Sequence, residues 1–287
     1  MFFKDFIWKR VVDWLGEECP VGDAYMCDFD RLSYEIRPGD VLLVEGQSRV
    51  SNVIKTITQS IWTHAAIYIG RLHDTDSPAL REQLSRFHQG DERGQLLIEA
   101  ILGQGTIVTP LEYYRDFHLR ICRPRNISRS DAQQVLAFAI GHLGANYDVR
   151  QLVDLARFML PYAFLPRRWR STLFEYQAGD VTRCICSTML VEAFQTIQFP
   201  VLPVVRKSAN GEQRIYQRNP RLFVPRDFDY SPYFDIIKYP YYVDQHNPAY
   251  RNMPWSSEGL MCNDEGDCFV PGSSAGDALD PGVDTKT

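Results

Sequence analysis

The sequence predicts an α+β protein in which a mostly antiparallel sheet packs against helices. Short β-rich runs, separated by Gly and polar turns, recur at 40–46, 62–70, 95–100, 105–111 and 118–124. Between the first two runs, residues 48–60 have apolar side chains at helical spacing, and residues 186–197 repeat this pattern. Because short turns join most of the strands, we expect an antiparallel or mixed sheet.

The segments between and after these strands complete the predicted architecture. Residues 74–94 are polar and predict an exposed insertion, with a helix over 79–87. Ser130 and Gln133 have the spacing of a capping box, which predicts the start of another helix. A late strand is expected within 231–239, and 199–213 reads as a loop or hairpin.

The pattern predicts one main domain with two flanking segments. Residues 1–30 form an amphipathic helix and lead-in, residues 31–245 form the domain, and 246–287 form a C-terminal extension. The domain carries insertions near 74–94 and 150–183. From about residue 255 the extension is rich in Gly, Ser and Asp and is expected to be disordered. Cys262 and Cys268 lie in it, and the sequence leaves their pairing open.

Composition excludes several classes of protein. The chain has 287 residues, is 45% hydrophobic and has a formal net charge of -5, much of it in the acidic C-terminal extension. The remainder is nearly neutral, so a nucleic-acid partner is not expected. Seven cysteines without a secretory leader do not indicate a disulfide framework.

No stretch has the features of a signal peptide or a membrane span, which predicts a cytoplasmic location by default. Peripheral membrane contact through residues 1–16 and 150–170 remains open, because both segments mix aromatic and basic residues. Export by a route without a leader also remains open.

Cys186 is the candidate nucleophile. It opens the apolar stripe of the helix in CICSTMLVEAF (184–194), so it lies in the first helical turn. Free backbone N–H groups and the helix dipole favour a thiolate there. A metal site at Cys184 and Cys186 is the rival interpretation, but no second pair of ligands accompanies it, and neither metal nor cofactor is expected.

His64 and Glu99 are the candidate partners of this cysteine. His64 begins the strand-like run HAAIYIG, where a β backbone fixes its ring beside two small alanines. Glu99 lies among apolar residues in QLLIEA, a costly position for a charge without a partner. That partner is either an arginine or His64. If the two strands are neighbours, Glu99 accepts from one ring nitrogen while the other faces Cys186.

Five motifs in order resemble the YaeF/YiiX-type permuted papain-like amidases of the NlpC-type superfamily. The motifs are PGDVLLVEG, IKTITQSIWTHAAIYIG, LIEAILGQGTIVTPL, GANYD and CICSTMLVEAF. The resemblance covers roughly residues 36–240 and implies a circularly permuted papain-like fold. It implies that Cys186 is the nucleophile, His64 the general base and Glu99 the carboxylate that orients the histidine.

The same resemblance implies residues that contact the substrate. Tyr147 is expected to bind the substrate or the oxyanion, and Ser187, Trp62 and Thr63 are further expected contacts. The family's common Cys-Ser-Glu-Leu-Val reads Cys-Ser-Thr-Met-Leu here, which removes an acidic residue near the helix start. The polar contact with the substrate is therefore expected to differ.

The leading functional hypothesis is a cysteine hydrolase that cleaves an amide bond through a thioacyl-enzyme intermediate. Its substrate would be a small peptide, a cell-wall fragment or an amino-acid amide. A lipid acyl hydrolase or acyltransferase with the same Cys-His-Glu site is the alternative, because the amphipathic N-terminus and residues 150–170 suit a lipid substrate. A second alternative is a non-catalytic binding module in which Cys186 is inert.

Overall fold

A computed structural model of the chain describes residues 17, 27–88, 90–101, 104–145, 185–207, 211–239, 261–262 and 268–269. Within these residues the α-helices are α1 (Phe29–Glu35), α2 (Arg49–Thr58), α3 (Pro78–Phe87), α4 (Arg129–Gly141), α5 (Ile185–Gln195) and α6 (Arg226–Tyr230). The first five strands are β1 (Val41–Glu45), β2 (His64–Arg71), β3 (Gln95–Ile101), β4 (Gly105–Pro110) and β5 (His118–Pro124). The later strands are β6 (Val204–Lys207), β7 (Gln213–Tyr216), β8 (Phe234–Ile237), β9 (Met261–Cys262) and β10 (Cys268–Phe269). Short 3-10 helices occupy Leu72–Asp74, Leu111–Tyr114 and Pro220–Leu222.

Six of the strands form one antiparallel sheet in the order β4-β3-β2-β1-β5-β8. The predicted α+β class with a mostly antiparallel sheet is therefore confirmed. β6 and β7 pair separately as a two-stranded ribbon, which decides between the loop and the hairpin expected there. The strand expected within 231–239 is β8, at the edge of the sheet.

Both faces of the sheet are covered by apolar packing. Alternate residues of β1 enter different core clusters: Val41 and Leu43 lie on one face, and Leu42 and Val44 on the other. Helices α4 and α5 cover the first face, with the buried side chains of α5 among β2 and β3. Helix α1 and the 3-10 helix Leu111–Tyr114 cover the second face. This arrangement fixes α5 against the strands that carry His64 and Glu99.

The ends of two helices are set by serine caps. The Ser48 hydroxyl accepts from the backbone N–H of Ser51 and begins α2. The cap of α4 is Ser128, which accepts from the N–H of Asp131. The capping role predicted for Ser130 is therefore wrong, because the helix begins one residue before it and Ser130 is already helical.

Several predicted segments lie outside the described residues: the N-terminal helix over 1–16, the segment 150–183, and Tyr147. In the C-terminal extension, β9 and β10 pair antiparallel with Cys262 opposite Cys268. These four residues therefore have regular backbone structure where the sequence predicted none. In the parts of the chain that the structure describes, no helix is long and apolar enough to span a bilayer.

Gly46 lies where the end of β1 meets the start of β2. Its N–H donates to the Thr63 hydroxyl over 2.9 Å. An added Cβ would lie 2.3 Å from Ser51 Oγ and 2.7 Å from Thr63 Oγ1. Gly46→Ala would therefore displace the residue before His64. We expect the free energy of unfolding to fall by about 1–3 kcal/mol, as measured by chemical denaturation.

Gly141 provides the matched control for this substitution. It lies in α4, and an added Cβ there meets nothing within 4 Å. Gly141→Ala is expected to leave stability unchanged or to raise it by up to about 1 kcal/mol, because Ala is a better helix former. Equal losses of stability in the two variants would contradict the close packing around Gly46.

Candidate active site

The register of β2 and β3 brings His64 and Glu99 together. Ala66 is paired with Glu99 across the two antiparallel strands. His64 lies two residues before Ala66, so its side chain is on the same face of the sheet as Glu99 and diagonal to it. His64 Nε2 is 2.5 Å from Glu99 Oε2. The sequence left an arginine open as the partner of Glu99, and the structure gives His64.

Glu99 is a fully buried carboxylate held by several donors. Its side chain is 0% exposed, and Oε2 accepts from both His64 and the Tyr114 hydroxyl, the latter also at 2.5 Å. Oε1 and the nearby Thr109 hydroxyl lack partners of good geometry among the described residues. Burial acts to raise the pKa of Glu99, but His64, Thr109 and Tyr114 together lower it below the usual value. Glu99 is therefore ionised despite its burial.

Cys186 is the residue of α5 that interacts with His64. It is the second residue of α5 and is buried, and the helix is held by core residues such as Met189 and Leu190. Its side chain hydrogen bonds with His64. Because Nε2 of His64 faces Glu99, Nδ1 is the nitrogen left for the sulfur.

The charge distribution of these groups favours a protonated His64. Burial alone would lower the pKa of His64, but the charge and hydrogen bond of Cys186 and those of Glu99 raise it to about 10. An imidazolium beside a sulfur stabilises a thiolate, because the two opposite charges attract. His64 thus interacts with both a thiol and a carboxylate, a combination suited to nucleophilic attack followed by proton transfer.

A comparison with protein families bears on this geometry. Residues 35–157 match the model of the permuted papain-like amidase enzymes, YaeF/YiiX, C92 family. The predicted resemblance is confirmed over this region, which contains His64, Glu99 and Tyr114. The family is one of papain-like amidases, so the match indicates a cysteine hydrolase at the family level. Cys186 lies beyond the matched residues, and its assignment depends on its own motif and on its contact with His64.

Among solved structures, the chain is similar to the crystal structure of metalloprotein yiiX from Escherichia coli O157:H7. The two are 14% identical with a TM-score of 0.42, over 71% of this chain and 97% of that chain. A comparison with curated proteins gave no match. Among the side chains described for this chain, no group of three or more His, Cys, Asp or Glu could hold a metal ion.

A second histidine, His118, also pairs with a carboxylate. His118 Nδ1 is 2.9 Å from Glu45 Oε2, and Lys55 Nζ is 2.7 Å from Glu45 Oε1. The His118 ring packs on Trp62 with 5.0 Å between ring centroids. His118 and His64 side chains are equally exposed, at 20%. Exposure and a carboxylate partner therefore do not distinguish the two histidines, but contact with a cysteine does.

Three residues predicted to contact the substrate are buried and contact other residues of the protein. Trp62 is buried in the core, and Thr63 is buried and accepts from the N–H of Gly46. Ser187 is fully buried, with its hydroxyl 4.0 Å from the sulfur of Cys186. Cys186 is as buried as Trp62 and Thr63, at 3% exposed, so the expected contacts with a substrate stay a prediction. Trp62 and Thr63 also support the start of β2, and with it the backbone of His64.

Tyr114 is the part of the site that the sequence reasoning missed. It ends the 3-10 helix that follows β4, in the segment TPLEYY, four residues after the last strand residue. The sequence feature that could have indicated it is a Pro at the end of a strand-like run, followed closely by two tyrosines. It indicates a tight turn that directs an aromatic side chain back toward the sheet.

Proposed function

We propose that the protein is a cysteine hydrolase that cleaves amide bonds through a thioacyl-enzyme intermediate. Cys186 is the nucleophile, His64 the general acid and base, and Glu99 the carboxylate that orients His64. The permuted papain-like fold, with the histidine before the cysteine along the chain, is part of this proposal. The observation that carries it is that His64 hydrogen bonds to the fully buried carboxylate of Glu99, while Cys186 interacts with the same imidazole and raises its pKa.

The reaction follows from the protonation states. The Cys186 thiolate attacks the carbonyl carbon, and a C–S bond forms while the oxyanion accepts from backbone N–H groups in the first turn of α5. The C–N bond then breaks, and the imidazolium of His64 gives its proton to the leaving amine. Neutral His64 next takes a proton from water, whose oxygen attacks the thioester. The carboxylic acid product leaves, and the Cys186 thiolate and His64 imidazolium are restored.

The substrate class is proposed from the family alone. An amide in a small peptide, a cell-wall fragment or an amino-acid amide fits a papain-like amidase. The lipid alternative depended on residues 1–16 and 150–170, which lie outside the described residues, so no structural observation favours it. The same thiolate can also attack an ester. The test therefore compares an amide substrate with an ester substrate.

The test measures which cysteine reacts and which bond is cleaved. Cys27 and Cys122 are internal controls, because both are buried free thiols whose pKa is raised, chiefly by burial. Iodoacetamide at pH 7, followed by peptide mapping, should label Cys186 far faster than either control. Amide and ester substrates with the same acyl group should yield an acyl adduct on Cys186 in the wild type and none in Cys186→Ala.

The outcomes separate the hypotheses. Amide turnover that requires Cys186 supports the proposal, and turnover of esters alone would replace amide cleavage with ester cleavage. A non-catalytic binding module predicts equally slow labelling of Cys186, Cys27 and Cys122 and turnover of neither substrate. Hydrolysis that persists in Cys186→Ala would reject the assignment of the nucleophile.

A further inference from the structure

We propose that Tyr114 is a positioning residue of this reaction, whose hydroxyl holds the Glu99 carboxylate in the orientation that supports His64. The inference rests on the proposed function, because it gives Tyr114 a role in the same reaction. Tyr114 acts through Glu99 and is not assigned a contact with the substrate. The observation that carries it is the 2.5 Å hydrogen bond from the Tyr114 hydroxyl to Glu99 Oε2.

The surroundings of Tyr114 fix the direction of this hydroxyl. Tyr114 is buried at the end of the 3-10 helix Leu111–Tyr114. Its ring packs edge-on against Tyr113 and Phe117, with centroids 5.0 and 5.2 Å away. It also lies nearly parallel to the His64 ring, with centroids 6.5 Å apart and an angle of 28°. The ring is therefore confined from several sides, and its hydroxyl can serve as a fixed donor.

The position of the hydroxyl explains how a single carboxylate oxygen is held. Oε2 of Glu99 accepts from His64 and from Tyr114, which approach from different elements of the fold. Two donors of fixed direction on one oxygen restrict rotation of the carboxylate about its last torsion. Without Tyr114, the carboxylate would keep His64 as its well-formed contact among the described residues. The imidazole would then lose part of the restraint that directs its other nitrogen to Cys186.

The hydroxyl also stabilises the charge of Glu99. The titratable groups around the pair are His64 on the carboxylate, and Tyr113 and Cys186 within electrostatic reach of Tyr114. Burial, with the charge of Glu99, raises the pKa of Tyr114 well above its usual value, so the hydroxyl remains a donor. A donor to a carboxylate favours its ionised form. Loss of the hydroxyl should therefore raise the pKa of Glu99.

The test compares Tyr114→Phe with Tyr113→Phe, which removes the same group from the exposed neighbour on the same turn. Glu99 is followed by carbon NMR in protein labelled at the glutamate carboxyl carbon, and Glu99→Gln identifies its signal. A hydrogen bond to a charged group corresponds to about one pH unit or more. The pKa of Glu99 should rise by about that amount in Tyr114→Phe and stay constant in Tyr113→Phe. Because the ionised carboxylate is what holds His64, the acid limb of amide hydrolysis should also shift upward.

The two readouts keep this inference separate from the proposed function. An unchanged titration of Glu99 in Tyr114→Phe would overturn the inference, whatever the enzyme hydrolyses. A shifted titration without a shifted acid limb would leave Tyr114 as a structural residue and also overturn it. Failure of the proposed function would instead appear as absent turnover in the wild type. If Tyr114→Phe does not fold, 3-fluorotyrosine at this position provides a stronger donor, and the pKa of Glu99 should then fall.

Discussion

His64→Ala is expected to slow amide hydrolysis by about 10³-fold or more and to slow alkylation of Cys186 about 30-fold at pH 7. Amide hydrolysis loses more because the proton donor and acceptor is removed, and general acid–base catalysis alone contributes about 10²–10⁴-fold. Alkylation loses less because only the ionised fraction of Cys186 falls. A thiol with an ordinary pKa of about 8.5 is only about 3% ionised at pH 7, whereas His64 pairs with Cys186 in the wild type.

His118→Ala is the matched control for this prediction. His118 is as exposed as His64, at 20%, and likewise contacts a carboxylate, Glu45. A general effect of deleting a half-buried histidine would lower the melting temperature of both variants. Only His64→Ala should slow alkylation, as followed by mass spectrometry of the Cys186 peptide over time. Equal alkylation rates in wild type and His64→Ala would contradict the pairing of His64 with Cys186.

The contact between His64 and Glu99 could be proposed from the sequence for a physical reason. A carboxylate among apolar residues of a strand is costly to bury unless a partner is near, and a histidine at the start of a nearby strand can be that partner. The alternation of side chains in strands then requires both to lie on one face. What the sequence left open was whether β2 and β3 are neighbours, which depends on how the whole sheet assembles.

Tyr114 shows where the sequence was insufficient, and Trp62 and Thr63 show packing that the sequence did not predict. The direction of the Tyr114 side chain depends on a short 3-10 helix, whose geometry no hydrophobic period encodes. Trp62 and Thr63 adjoin His64 in the chain, but they are buried by packing with residues distant in sequence, such as His118 and Gly46. Adjacency to His64 in the sequence therefore did not indicate this internal packing.

The boundary of α4 has a similar explanation. Ser128 and Ser130 are both suitable caps, since each is a serine followed three residues later by a polar side chain. The structure uses Ser128, whose extended backbone (φ -74°, ψ 158°) places its hydroxyl on the N–H of Asp131. Local sequence preference is nearly equal at the two positions, so it could not identify the cap; in the folded chain, Val135 and Ala139 of this helix lie in the core.

The pH dependence of hydrolysis and of alkylation is expected to diverge near pH 10. Cleavage of an amide requires a proton on His64 for the leaving amine, whereas alkylation requires only the thiolate of Cys186. Cys186 and Glu99 raise the pKa of His64 to about 10, so His64 keeps its proton below that pH and loses it above. Amide hydrolysis should therefore fall about tenfold for each pH unit above 10, while the alkylation rate does not fall.

An ester with an acidic leaving group separates proton donation from other alkaline effects. Such a leaving group departs without protonation, so its cleavage should not share the alkaline fall of the amide. The His64 proton can also be followed directly by NMR titration of the imidazole. In Cys186→Ala the midpoint should move to lower pH, because the negative charge that helps to raise the pKa is gone. A wild-type midpoint near 6.5 would mean that the sulfur and the imidazole do not form an ion pair, and an alkaline fall common to amide, ester and alkylation would mean that the loss of the His64 proton does not cause it.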